Sequence, residues 1–175
     1  APAEVDPTPH AAITPIPDGV DLADVEQTDE LPDPRNPWLD VATLPPEIVS
    51  IKAQVDSGRR LGRSQIGSLR MLHRDYPNDC RPLLLHAHGY ALRRWLSHAL
   101  PLYIEAFELD PSCRGDPAML NNLVEMAATE TLERDASNVI LQIYGSEAED
   151  AVEAAIENSS RAVERRRLEA LLDAL

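Results

Sequence analysis

Four histidines and one cysteine within a short stretch of the chain are the side chains best suited to bind a metal: His73, Cys80, His86, His88 and His98. Zinc requires four such ligands that converge on a tetrahedron. His86 and His88 are two residues apart on a predicted helix, so their side chains point about 200° apart and cannot chelate one ion. Cys80 has no partner in C-x2-C spacing. We therefore expect no metal site and no cofactor, with His86 packed in the core and His88 exposed.

The two cysteines, Cys80 and Cys113, are predicted to be free thiols. If they occupy equivalent turns of stacked helical hairpins, about 10 Å separates them, which is the packing distance of helices. A disulfide requires Cα atoms within about 7 Å of each other. Free thiols are typical of a reducing compartment, and neither a signal peptide nor a membrane-spanning apolar run is visible in the sequence. We expect a cytoplasmic protein.

Motifs for catalysis are missing from the sequence. There is no G-x-S-x-G motif for a nucleophilic serine. Gly58, Gly62 and Gly67 are close together but do not form the G-x-x-x-x-G-K-[ST] phosphate loop. Carboxylates are abundant, but most fall on faces of predicted helices that would be solvated. We expect that the protein is not an enzyme.

Charge is distributed in three blocks along the 175 residues, which carry 30 acidic and 16 basic side chains. The net charge is −10 over residues 1–51, +6 over residues 52–100 and −10 over residues 101–175. The overall charge of −14 argues against a protein whose whole surface binds nucleic acid or an anionic membrane. The middle block differs, because arginine forks bind carboxylates and phosphates. Its basic residues are Lys52, Arg59, Arg60, Arg63, Arg70, Arg74, Arg81, Arg93 and Arg94.

The pattern of proline and apolar residues divides the chain near residue 44. Ten of the 15 prolines lie within residues 1–46, and low hydrophobicity with high charge predicts a disordered, acidic, proline-rich arm over residues 1–43. From residue 44 onward, apolar residues recur with helical spacing and without the alternation typical of strands. The sequence predicts an all-α domain over residues 44–175. Its helices are expected at about 45–56, 64–76, 81–94, 97–109, 117–127, 131–144, 147–158 and 160–174.

The chain also repeats itself with a period of 34 residues, since Pro77 and Pro111 are 34 positions apart and each follows an amphipathic helix. The tetratricopeptide pattern alternates large and small residues over a helical hairpin of this length and ends in proline. The residues that carry this pattern are Leu83, Ala87, Tyr90, Ala99, Tyr103, Ala106 and Pro111. Residues 46–111 therefore resemble the tetratricopeptide repeat family in a degenerate form, most closely over the second unit.

This resemblance implies a short α-solenoid of helical hairpins. Repeats are expected at about 46–79 and 80–113, followed by degenerate hairpins and a cap over 114–175. The resemblance also implies that six residues fill the contacts between neighbouring helices, namely Ala87, Tyr90, Ala99, Tyr103, Ala106 and Pro111. An acidic linker before degenerate repeats further resembles the regulatory tail of some bacterial serine/threonine kinases, which implies a role in signalling.

In the tetratricopeptide family, the first helix of each hairpin lines a concave groove that binds an extended peptide. The resemblance therefore implies a non-enzymatic protein–protein interaction module or scaffold. The arginines of the basic block favour an acidic partner peptide. The predicted peptide-binding residues are Arg70, Arg74, Arg81, Leu84, His88 and Leu92.

Two further hypotheses concern the acidic arm. Because the arm is tethered to the basic block and opposite to it in charge, it could occupy the groove and compete with an outside partner. Deletion of residues 1–43 would then tighten the binding of an acidic peptide. The alternative function is a structural subunit of a homo- or hetero-oligomeric assembly, in which the arm threads along a neighbouring subunit.

Overall fold

The computed structural model describes residues 36–39 and 44–175, all of which belong to the unit Leu31–Leu175. Every regular element in this part of the chain is helical, and it contains no strand. The predicted all-α class is therefore confirmed for these residues. The predicted disordered arm lies outside the described residues, except for residues 36–39. Among the described helices, none is both long enough and apolar enough to cross a membrane.

The described residues contain eight α-helices at positions close to those predicted from the sequence. Short 3₁₀ helices at Pro111–Gly115 and Gly145–Ala148 precede the fifth and seventh of them. The α-helices are α1 (Pro46–Asp56), α2 (Arg63–Asp75), α3 (Arg81–Ala91), α4 (Leu96–Leu109), α5 (Pro117–Ala127), α6 (Glu133–Ile143), α7 (Glu149–Asn158) and α8 (Ala162–Leu172).

Local chemistry explains several helix boundaries. Helices α1 and α5 begin with proline, whose fixed φ suits the first helical position and whose missing N–H is not needed there. Asp116 precedes α5, and its Oδ1 accepts hydrogen bonds from the backbone N–H groups of Ala118 and Met119 at 2.7 and 3.1 Å. An aspartate in this position satisfies amides that the helix itself leaves unpaired. The predicted start of α5 at Asp116-Pro117 is thus confirmed.

Helix α3 is surrounded by other helices. It packs against α1, α2, α4 and α5, and residues 82–89 are buried without interruption. Beyond it, α5 pairs with α6 and α7 pairs with α8, while α5 also contacts α7 and α8. The larger hydrophobic core extends from α3 to α8, and a smaller one joins α1, α2 and α3.

Gly89 allows α3 to approach the start of α2 closely. A Cβ atom at this position would lie 2.7 Å from Leu61 Cδ1 and 3.3 Å from Ile66 Cδ1. A contact of 2.7 Å does not occur between real side chains, so a larger residue at position 89 would require the Leu61 side chain to shift.

The six residues expected to fill helix–helix contacts lie on α3, on α4 and just after α4. Ala87, Ala99, Tyr103 and Ala106 are fully buried in the larger core, and Tyr90 packs against its edge. Pro111 begins the first 3₁₀ helix. Small side chains on α3 and α4 are thus buried in a pair of helices that pack along their length.

The prediction of two free thiols is wrong, because Cys80 and Cys113 form a disulfide. Their Cα atoms are 6.8 Å apart, compared with the expected separation of about 10 Å. Cys80 directly precedes α3, and Cys113 lies in the 3₁₀ helix Pro111–Gly115, which turns back toward it. The expectation of a cytoplasmic location loses the support that it drew from free thiols, since structural disulfides are rare in reducing compartments.

Candidate functional site

Two of the six predicted peptide-binding residues cannot line an open groove. Leu84 is completely buried, and His88 has only 3% of its surface exposed. The physical reason is that α3 has helices on several sides, so the face that the resemblance assigned to a groove is packed against protein. The expectations that His88 is exposed and that Leu84 contacts a peptide are therefore wrong. Leu92, at the end of α3, is half-buried.

The predicted arginines differ in how they are partnered. Arg74 is exposed and lies 3.3 Å from the neighbouring Asp75 carboxylate. Arg81 donates two hydrogen bonds of 2.8 Å to the two carboxylate oxygens of Asp79. Arg70 is exposed, and its guanidinium donates to the Tyr90 hydroxyl at 3.3 Å. Arg74 and Arg81 therefore already have acidic partners within the chain.

Arg70 is one of three arginines that line a single surface cavity of about 550 Å³, which we call the arginine cavity. It lies beside α2 and the turn between α3 and α4, and its lining consists of Arg63, Ile66, Gly67, Arg70, Tyr90, Arg93 and Trp95. Among the described residues, no carboxylate comes within ion-pair distance of Arg63, Arg70 or Arg93. The cavity thus combines three guanidinium groups that no carboxylate of the described residues neutralises.

Aromatic rings form one side of the arginine cavity. Trp95 is 50% exposed, which is unusual for so large an apolar side chain. The Arg93 guanidinium lies over the Trp95 ring, 5.3 Å from the ring centroid. The centroids of the Tyr90 and Trp95 rings are 5.9 Å apart. Arg93 also donates a hydrogen bond to the Leu61 carbonyl, which fixes the guanidinium at the cavity wall.

A second cavity of about 440 Å³ adjoins the first, because Arg70 and Tyr90 line both. We call it the histidine pocket. It lies among α2, α3 and α4, and its walls combine leucine and proline side chains with several polar groups. The lining residues are Leu69, Arg70, His73, Pro82, Leu83, His86, Tyr90, Ser97, His98, Pro101, Leu102 and Glu105.

Two imidazole nitrogens of the histidine pocket are buried and have no hydrogen-bond partner within the described part of the chain. They are His86 Nε2 and His73 Nδ1. The other ring nitrogen of His73 lies 3.5 Å from a Glu105 carboxylate oxygen. Burial, together with the smaller effects of the nearby charges of Arg70 and His73, lowers the pKa of His86 from 6.5 to about 4. His86 is therefore neutral at physiological pH, and one of its nitrogens can accept a hydrogen bond.

A different polar cluster surrounds His88. Its Nε2 lies 3.1 Å from Asp116 Oδ2, and its Nδ1 lies 2.7 Å from the Tyr103 hydroxyl. Asn122 Nδ2 donates to that hydroxyl at 2.7 Å, and Trp38 Nε1 donates to Asp116 Oδ2 at 2.7 Å. Because a carboxylate can only accept, His88 Nε2 carries a hydrogen and donates it to Asp116 Oδ2.

The His88 cluster resembles a proton relay in its residue types but lacks access for a substrate. The side chains of His88 and Asp116 are 4% and 2% exposed. Burial raises the pKa of Asp116, but hydrogen bonds from His88, Trp38 and the Met119 backbone, with the charge of His88, outweigh it and lower the pKa to about 2. Burial also raises the pKa of Tyr103 well above 10. The cluster connects α3, α4 and α5 to residue 38 and so has a structural role.

Asp110 brings a carboxylate oxygen near both cysteine sulfurs. These sulfurs are bonded to each other and cannot act as thiolate ligands. Asp110 itself accepts hydrogen bonds from the Ser112 amide and hydroxyl at 2.9 and 2.7 Å. This group therefore gives no support to a metal site, and the absence of a metal and of a cofactor stays a prediction.

Sequence reasoning identified the basic block but not which of its members converge. One signal was available: Arg63, Gly67 and Arg70 have spacing i, i+4, i+7 and so share one face of α2, with a glycine between the two arginines. The histidine pocket had no comparable signal, because His73, His86 and His98 come from three different helices. Comparison of the chain with protein-family models, with curated proteins and with solved structures gives no match.

Proposed function

We propose that this protein is a non-enzymatic protein–protein interaction module that binds an extended acidic peptide at the arginine cavity. The observation that carries the proposal is the convergence of Arg63, Arg70 and Arg93 on one cavity without a carboxylate partner among the described residues. The binding surface moves from the first helices of the hairpins, as expected from the sequence, to the face formed by α2 and the α3–α4 turn.

Charge and shape both support this partner. Unpaired arginines repel one another, and a peptide carboxylate would relieve this repulsion through bidentate hydrogen bonds. An exposed tryptophan beside arginine is typical of the residues that contribute most to binding at protein interfaces. Trp95, with Arg93 over its ring, provides such a contact at the edge of the cavity.

The order of helix packing supports a tetratricopeptide-like solenoid as the scaffold. The first helices of successive hairpins contact in series, α1 with α3, α3 with α5 and α5 with α7. Within the later hairpins, α3 pairs with α4, α5 with α6 and α7 with α8. Stacked hairpins of this kind form extended surfaces that are used for binding.

The test measures the affinity of a fluorescein-labelled peptide of aspartate and glutamate by fluorescence anisotropy, with the double variant R63E/R70E. We expect a loss of about tenfold or more, because two attractive contacts become repulsive. The control is R134E/R166E, which makes the same change of charge at exposed arginines of α6 and α8. An equal loss in both variants would show that only net charge matters and would refute the assignment to the arginine cavity.

A further inference from the structure

The two unpartnered nitrogens of the histidine pocket call for a ligand. Polar groups buried in folded proteins almost always have a hydrogen-bond partner. His86 is 7% exposed and lines a cavity of about 440 Å³, a volume in the range of small-molecule sites, and its buried Nε2 has no hydrogen-bond partner among the described residues. His73 lines the same cavity, and its Nδ1 is the second such buried atom.

The polar part of the ligand must suit these nitrogens and the charges around them. The Glu105 carboxylate lies 3.5 Å from His73, which disfavours a carboxylate ligand there. The Arg70 guanidinium lines the same pocket and disfavours a cation. A hydroxyl group is uncharged, and it both donates and accepts, so it can pair with either tautomer of an imidazole. The neutral state of His86 agrees with an uncharged ligand group.

The remaining walls determine the shape of the ligand. Leu69, Leu83 and Leu102 provide apolar surface, and Pro82 and Pro101 add the flat faces of their rings. The Tyr90 ring lines the pocket at its border with the arginine cavity. Aromatic rings pack well on such surfaces, in offset-stacked or edge-to-face arrangements with other rings. A hydroxylated aromatic ring therefore fits both the walls and the polar atoms.

We infer that the histidine pocket binds a phenol ring, which a tyrosine side chain of the acidic peptide supplies. The phenol follows from the pocket alone, whereas its source in a peptide rests on the proposed function. Because Arg70 and Tyr90 line both cavities, a tyrosine in the pocket would place neighbouring acidic residues of the same peptide at the arginine cavity.

The test compares three fluorescein-labelled peptides of aspartate and glutamate that differ only in a central tyrosine, phenylalanine or alanine. With the full chain, we expect the tyrosine peptide to bind about tenfold more tightly than the phenylalanine peptide, since a lost hydrogen bond leaves the buried nitrogens unpaired. H86L should reduce that ratio to about one. The comparison of peptides on the unmodified protein needs no variant, so it stands even if H86L folds poorly.

A second measurement uses N-acetyl-tyrosinamide and N-acetyl-phenylalaninamide, with the His86 ring resonances observed by NMR. Equal affinity of the tyrosine and phenylalanine peptides would overturn the phenol inference and leave the proposed function in place. If no peptide binds but only the tyrosine derivative shifts the His86 resonances, the proposed function fails and the phenol pocket stands. If neither peptides nor derivatives bind, both are overturned.

Discussion

His86 and His88 are two residues apart on α3 and similarly buried, yet their surroundings are opposite. His88 is enclosed by Asp116, Tyr103 and Asn122, and both of its ring nitrogens have partners within hydrogen-bond distance. His86 lines a cavity open to the surface, and its Nε2 has none. The two sides of one helix therefore separate a region that holds the fold together from a region available to a ligand.

The difference shows that burial alone does not reveal the role of a polar side chain. A satisfied buried network contributes stability, and removing one member leaves the others unpaired. An unsatisfied buried group costs stability because it is desolvated without a partner, so replacing it with an apolar residue of similar size can be nearly neutral or stabilising. The following predictions use this contrast between the His88 side and the His86 side.

Asp116→Ala should have the largest effect on stability. The substitution removes the N-cap of α5 and leaves both His88 and the Trp38 indole without their acceptor. The sum of these losses is about 4 kcal/mol in the free energy of unfolding. Chemical denaturation followed by circular dichroism measures it. His86→Leu is the matched substitution on the other side and should change stability by less than about 1 kcal/mol. Equal effects would contradict the contrast.

The next largest effect is expected from reduction of the Cys80–Cys113 disulfide. The bond closes a loop across α3 and α4, with a sequence separation of 33, and restricts the unfolded chain. Loss of the disulfide should lower the free energy of unfolding by about 3 kcal/mol. The measurement compares denaturation midpoints with and without dithiothreitol, and the double variant C80S/C113S, which should not respond to the reductant, is the control. No change on reduction of the unmodified protein would contradict the prediction.

The helices of this protein were predictable because their signals are local. The proline at the start of α5 and the aspartate before it define that boundary in the sequence itself, and helical spacing of apolar residues does the same for the other elements. The prediction that His86 and His88 point to opposite sides also follows from local geometry. The two side chains have different neighbours, with Tyr103 and Asp116 near His88 and Arg70 near His86.

The errors arose where the outcome depends on contacts between distant segments. The burial of Leu84 and His88 depends on four helices packing around α3, which no local pattern encodes. The disulfide depends on the 3₁₀ helix Pro111–Gly115 turning back toward Cys80, so that a distance estimated from regular helix packing was too long. The arginine cavity was predictable in part, since Arg63 and Arg70 share a face of α2, but Arg93 and Trp95 join them only in the folded chain.

The smallest of the three expected effects on stability is the pH dependence that His86 contributes. Its pKa is lowered from 6.5 to about 4 by burial and by the charges of Arg70 and His73, so the unfolded chain takes up a proton at a higher pH than the folded chain does. Stability therefore decreases as pH falls from about 6.5 to about 4 and stops changing through this group below that. We expect a loss of about 2 kcal/mol across this interval.

The measurement is the free energy of unfolding at several pH values for the unmodified protein and for H86L. The difference between the two isolates the contribution of His86 from that of the other titrating groups. Asp116 does not interfere with this measurement. Because its pKa is lowered from 3.8 to about 2 in the folded chain, its protonation destabilises the protein only below about pH 3.8. Identical pH profiles for the two proteins would mean that His86 is as well solvated in the folded chain as in the unfolded one, and the contrast between His86 and His88 would fail.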